Sequence, residues 1–169
     1  MNSKQNIIIS LLCFALITQT AASAKSSRNN QVLVPGNKYQ TYNQWGGSFA
    51  PWHDGGVFVI GGRNGQRIIS VKISSANGGK TFDGVVQYQN EGPIGFRGLR
   101  KAQNRYSCLV QWGGVSAPWH IDGLWVLGAR KTQSLVNVNI SSVDGGKTFA
   151  GTITYKNEGP IGFKAKLIA

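Results

Sequence analysis

Hydrophobic and polar positions alternate along most of this chain with period two, the signature of half-buried strands rather than helices. Ile69, Val71 and Ile73 alternate with Ser70, Lys72 and Ser74, and the pattern returns over Leu135 to Ser142 with Val136, Val138 and Ile140 at the matching places. Asn77-Gly78-Gly79 and Asp144-Gly145-Gly146 follow, both hairpin signals because they accept positive φ. Thr81 to Tyr88 and Thr148 to Tyr155 are rich in β-branched and aromatic residues. Val57 to Ile60 with Leu124 to Leu127, Phe96 to Leu99 with Phe163 to Leu167, and short strands ending near Trp45 and Trp112 complete the set. The pattern predicts about five strands per repeat and no helix.

The strand pattern is a tandem duplication. Gln44-Trp45-Gly46-Gly47 and Ala50-Pro51-Trp52-His53 return as Gln111-Trp112-Gly113-Gly114 and Ala117-Pro118-Trp119-His120, at an offset of 67 residues that holds without a gap to the C-terminus. Asn90-Glu91-Gly92-Pro93-Ile94-Gly95-Phe96 recurs as Asn157 to Phe163. Residues 44–102 laid on 111–169 share 32 of 59 positions, so fold and function are read as two copies of one unit. One copy alone would have a thin core. The join, Lys101 to Tyr106, offers no Gly, Pro or Ser for a flexible linker. The expectation is an all-β fold: a compact single β-barrel of about ten antiparallel strands from two tandem five-stranded repeats, about 38–104 and 105–169, closed so that no edge is exposed.

The first residues break the pattern. Lys4, an apolar run from Ile7 to Ile17 and Ala22-Ser23-Ala24 have the layout of a secretory signal peptide, residues 1–24, with cleavage expected near Ala24. The run is shorter than the ~20 residues a membrane helix needs. Cys13 follows Leu12, where a lipid-attachment site wants a small residue, so a lipoprotein is not expected. Residues 25–37 are a polar, flexible leader and 38–169 the barrel. The mature chain is expected to be secreted, extracellular or periplasmic, with no membrane insertion.

Composition narrows the chemistry. Cleavage removes Lys4 and no acid, taking the net charge from +12 to +11. It leaves Cys108 without a partner, and because the matching residue is Thr41, Cys108 reads as a small core residue. His53 and His120 match but have no Cys or Asp cluster beside them, and only six acids exist, so neither a metal nor another cofactor is expected. Glycosidic hydrolysis needs two flanking carboxylates. Only Glu91 and Glu158 match between repeats, and no nucleophile sits beside a base, so no enzyme is expected.

What does recur is Trp45/Trp112, Arg63/Arg130 and Glu91/Glu158, all but Arg130 directly beside glycine. An indole face packs on the C–H face of a sugar ring, and a guanidinium and a carboxylate hydrogen-bond its hydroxyls. Each could equally be structural: a core tryptophan, or a salt bridge. Trp52 and Trp119, between proline and histidine, read as core or strand-corner residues. A basic, aromatic-bearing barrel could instead bind an acidic polymer, a polyanionic glycan or nucleic acid, through surface Lys and Arg. The repeat-matched cations are few, and secretion argues against nucleic acid as a partner. A purely structural secreted β protein is a third reading, and it would leave Trp45 and Trp112 buried.

The two blocks, Gln-Trp-Gly-Gly-x-x-Ala-Pro-Trp and Glu-Gly-Pro-Ile-Gly-Phe, each twice, closely resemble the Oscillatoria agardhii agglutinin family of lectins over residues 38–169. The resemblance implies a ten-stranded barrel that binds the branched mannose core of high-mannose N-glycans at two symmetric sites without metal; the chain is expected to be a monomer. It further implies agglutination and antiviral action through that binding. By position, the first site takes Trp45, Gly46 and Gly47 with Arg130, Glu158 and Gly159. The second takes Trp112, Gly113 and Gly114 with Arg63, Glu91 and Gly92. Each tryptophan thus meets an arginine and glutamate of the other repeat. Two departures lie nearby: Asn43 is matched by Val110, and Gly55-Gly56 by Asp122-Gly123.

Overall fold

A computed structural model describes residues 36–62, 65–128 and 133–169. The signal peptide and nearly all of the leader expected from the sequence lie outside the described residues, as do Arg63 and Arg130. Ten strands follow in chain order: β1 (Asn37–Gln44), β2 (His53–Ile60), β3 (Ile68–Ser74), β4 (Thr81–Tyr88) and β5 (Ile94–Ala102), then their repeat-two counterparts β6 (Arg105–Gln111), β7 (His120–Val126), β8 (Leu135–Ser141), β9 (Thr148–Tyr155) and β10 (Ile161–Leu167). Among the described residues there is no helix.

The strands close in the order β1-β10-β9-β8-β3-β4-β5-β6-β7-β2, each antiparallel to its neighbours. The repeats are therefore interleaved. β1 and β2 lie between β10 and β7, both from repeat two, while β6 and β7 extend the β3-β4-β5 sheet of repeat one. Closure removes free edges, and both repeats feed one core. Tyr39, Phe58, Phe82, Tyr88 and Phe96 share a single buried cluster with Tyr106, Trp125, Phe149, Tyr155 and Phe163. Cys108 lies in that cluster as a free, fully buried thiol.

Two details differ from the simple alternation. The buried residues of β3 are Ile68, Val71 and Ile73, not Ile69, because the register slips between Ile68 and Ser70. The extra residue of that bulge turns Ile69 away from the core. The same slip between Leu135 and Asn137 turns Val136 out and Leu135 in. The join between repeats is itself a strand connection: β5 pairs with β6 from Gly95↔Gln111 to Ala102↔Arg105, closed by Gln103-Asn104 with Asn104 at φ 64°.

Long-range side-chain bonds pin the halves together. Tyr39 Oη donates to the Gly146 carbonyl at 2.6 Å, and its counterpart Tyr106 Oη donates to the Gly79 carbonyl at 2.8 Å. Each ties a strand of one repeat to the β-turn of the other. Burial pushes the Tyr39 phenol up to about 12 and raises that of Tyr106, as expected when the charged form would lose its water.

Candidate functional site

Strand pairing brings the matched motifs together. β1 lies beside β10 with Gln44 opposite Gly162, so Trp45, the next residue, faces the turn that precedes β10. Trp45, Glu158, Gly159, Pro160 and Ile161 line an open cleft of about 510 Å³. β6 lies beside β5 with Gln111 opposite Gly95, and Trp112, Glu91, Gly92, Pro93 and Ile94 line the matching cleft of about 320 Å³. Each tryptophan therefore stands next to the glutamate and glycine of the other repeat.

The loops are built to present the indole. Gly46 and Gly47 have φ of 89° and 100°, and Gly113 and Gly114 have 92° and 100°, a region that side chains other than glycine's enter only with strain. The Gly47 carbonyl accepts from Ala50 N–H at 3.1 Å, and Gly114 from Ala117 at the same distance, closing a tight turn. The glutamine of the motif holds that turn from beneath. Gln44 Nε2 donates to the Ser48 and Ala50 carbonyls at 3.1 and 2.8 Å, and Gln111 Nε2 to Val115 and Ala117 at 3.1 and 2.7 Å.

The histidines have a role that a search for metal ligands misses. His53 stacks on Trp45 with ring centroids 4.1 Å apart and an interplanar angle of 15°, and His120 stacks on Trp112 at 4.1 Å and 16°. One face of each indole is thus occupied by imidazole, which fixes the ring. Trp45 and Trp112 remain 45% and 43% exposed, so an aromatic surface stays open to solvent beside a carboxylate. They are not buried core residues. Among the described residues, no three His, Cys, Asp or Glu side chains gather as a metal site.

On the other wall, Glu91 N–H donates to the Tyr88 carbonyl at 3.3 Å and Glu158 N–H to the Tyr155 carbonyl at 3.1 Å. Asn90 and Asn157 make these turns possible at φ of 62° and 70°, because asparagine tolerates the left-handed region. Sequence reasoning singled out the tryptophans and glutamates and overlooked Gln44/Gln111 and His53/His120 as supports of the first and Asn90/Asn157 as supports of the second. The signal was present: all six are identical between repeats.

Trp52 and Trp119 are strand-corner residues, not core. Trp52 is 37% exposed, Lys164 Nζ lies 4.4 Å from its ring centroid, and the Arg97 guanidinium lies 4.5 Å from that of Trp119. Arg97 Nε also pairs with Asp83 at 3.2 Å. Arg97 and Lys164 are thus engaged with aromatic faces, as cations over indole commonly are.

A closed barrel carrying the same indole-and-carboxylate cleft twice defines a small tandem-repeat binding protein. The sequence model of the OAA-family lectin sugar binding domain matches residues 37–101 and again 104–168, and the chain belongs to that family. It is 49% identical over 126 residues to lectin OAA of Planktothrix agardhii, covering 75% of this chain and 96% of that protein. It is 53% identical over 135 residues to the myxobacterial hemagglutinin of Myxococcus xanthus, covering 80% of this chain and 51% of that protein. Apart from lectin OAA, the chain spans about half the length of these curated relatives, as with lectin SfL-2 of Solieria filiformis at 49%. Among solved structures it is similar to a glycan-bound Pseudomonas taiwanensis lectin, with a TM-score of 0.77 and 57% identity over 78% of this chain and 99% of that one. The Myxococcus xanthus hemagglutinin in complex with α3,α6-mannopentaose gives a TM-score of 0.77 and 53% identity, over 79% of this chain and 50% of that one.

Proposed function

We propose that the protein is a secreted lectin that binds branched high-mannose glycans at both clefts, without metal or catalysis, and cross-links glycoconjugates as a monomer. The observation that carries this reading is the duplicated cleft, in which an indole backed by histidine stands half-exposed beside a glutamate of the other repeat. Such a cleft suits a sugar: the indole takes the apolar ring face, while the carboxylate and the backbone N–H groups of the glycine pairs take the hydroxyls. Trp45, Gly46, Gly47, Glu158 and Gly159, with Arg130, form the first site. Trp112, Gly113, Gly114, Glu91 and Gly92, with Arg63, form the second. The mannopentaose held by the Myxococcus xanthus relative supports the ligand class. Two sites on one barrel raise avidity for branched ligands without any new contact.

Calorimetric titration with α3,α6-mannopentaose in EDTA tests the reading. Two equivalents are expected for the wild type, one for Trp45→Ala or Trp112→Ala, and none for the double variant. Loss of binding on chelation would overturn it. Affinity that falls steeply with salt would point instead to a polyanion, whose binding releases counterions. In the Trp45→Ala background, Glu91→Gln should weaken what remains about tenfold, by loss of a charge-assisted hydrogen bond, while Glu158→Gln should leave it unchanged.

A further inference from the structure

We infer that Asp122 is a positioning residue for the second cleft alone, that of Trp112, Glu91 and Gly92; this rests on the sugar-binding reading above. Asp122 is a carboxylate at 2% exposure inside the barrel wall. Tyr88 Oη donates to its Oδ1 at 2.6 Å, and Trp125 Nε1 donates to its Oδ2 at 3.1 Å. With its proton committed to a carboxylate, the Tyr88 oxygen offers lone pairs in a fixed direction, and Gly62 N–H donates to it at 3.2 Å. Gly62 is the residue before Arg63. At its other end, Tyr88 accepts Glu91 N–H through its main-chain carbonyl. One residue, Tyr88, thus ties Gly62 through its hydroxyl to the turn that carries Glu91 through its main chain, and Asp122 fixes the direction of that hydroxyl.

The contact is close as well as bonded. A Cβ on Gly62 would overlap the Asp122 carbonyl oxygen, so only glycine fits at this position. Charge-assisted bonds of this kind are short and directional, and in a buried setting each strengthens the next. A frame held this way loses less freedom when ligand binds. The first cleft has no matching carboxylate, because Gly55 stands at the equivalent position. A Cβ there would already meet Thr41 Oγ1 at 2.6 Å and Asn43 Nδ2 at 2.9 Å. The two clefts share their lining, then, but not the device behind it.

The indole N–H signals of Trp45 and Trp112 report the two sites separately in one ¹⁵N-labelled sample titrated with α3,α6-mannopentaose. In Asp122→Asn, the Kd read at Trp112 should rise about five- to tenfold, a fraction of what losing a buried charged hydrogen bond can cost. The Kd read at Trp45 should not move, and the Gly62 amide should shift before any sugar is added. Tyr88→Phe keeps the ring and removes only the hydroxyl. It should reproduce the selective loss, and it carries the test if Asp122→Asn does not fold. A lower Tm with both Kd values unchanged, or with both raised equally, would reduce Asp122 to a structural group and overturn the inference. If neither indole responds in the wild type, the sugar-site assignment itself falls and takes this inference with it. A wild-type response at both indoles with no selective change in the variants removes only the positioning role.

Discussion

The corner made by β1 and β2 and the corner made by β6 and β7 solve one packing problem in two ways. At the first, β1 turns Thr41 and Asn43 inward beyond Tyr39, β2 supplies Gly55, and Phe58 fills the core beneath. Thr41 Oγ1 donates to the Gly56 carbonyl at 2.8 Å. At the second, β6 is apolar at the same places with Cys108 and Val110, while the polar group comes from β7 as Asp122, bonded to the indole of Trp125. Polarity has moved from one strand to its neighbour, and Asp122 and Trp125 fill more space than Gly55 and Phe58. The four differences are one compensated exchange, not four independent drifts. The clefts above both corners keep the same residues, so selection on the binding surface leaves freedom in what supports it, provided volume and hydrogen bonds close together.

The largest effect expected from breaking this comparison is on stability. Asp122→Gly copies the first corner into the second without its partners. It leaves the Tyr88 hydroxyl and the Trp125 indole N–H without their acceptor, at a cost of about 2–4 kcal/mol, read from urea denaturation. Adding Cys108→Thr and Val110→Asn should restore part of the loss, with a coupling of about 1 kcal/mol or more for residues in contact. Strict additivity would show that these three positions are not one unit.

A smaller effect separates Cys108 from Thr41. Burial, with the negative charge of Asp122 nearby, pushes the Cys108 thiol well up. Well below about pH 8.5, where an unfolded cysteine is half ionised, both states keep the proton and the thiol's contribution is fully present. Above that pH only the unfolded state loses its proton, so stability declines with rising pH. Cys108→Thr should flatten this decline until the tyrosines enter: Tyr39, held at about 12, adds a second fall above its ordinary value of 10.0. Denaturation midpoints measured from about pH 7 to 10, the span across which an unfolded thiol ionises, check it, and an unchanged slope in the variant would contradict it.

The smallest effect concerns the two β-turns. Asp144 accepts from Thr148 Oγ1 at 2.7 Å, from Thr148 N–H at 2.8 Å and from Ser142 Oγ at 2.8 Å, and these bonds hold its carboxyl down at about 2. Its counterpart Asn77 makes the same kind of turn, accepting from Thr81 N–H at 2.9 Å, without a titrating group. The contribution of Asp144 is complete above the ordinary carboxylate range and disappears as pH falls through about 2. Asp144→Asn should therefore leave neutral-pH stability nearly unchanged and remove a small part of the acid sensitivity in an acid titration followed by circular dichroism.

Much of this architecture was legible because duplication made the sequence its own comparison. The alternation around Val71 and Val138 marked strands, and the gapless offset marked two equal units with one core. The bulges at Ile69 and Val136 were not legible, since period two cannot register one extra residue until the partner strand fixes the pairing. The tryptophans and glutamates stood out by chemistry. Gln44, His53 and Asn90, with their repeat-two mates, act through backbone and ring contacts that residue type alone does not reveal.

The local choices belong to the sequence: glycines where φ must be positive, asparagine at the turn before each glutamate, aromatic and β-branched residues along the strands. These depend on interactions within a few residues. What only the tertiary structure decided is which strand lies beside which. Placing β1 against β10 sets Trp45 beside Glu158, 113 positions later in the chain, and placing the Tyr88 hydroxyl between Gly62 and β7 lets one oxygen bond both a glycine N–H and the Asp122 carboxylate. Such contacts follow from closing ten strands around one core, where burial and hydrogen bonding have to be satisfied everywhere at once.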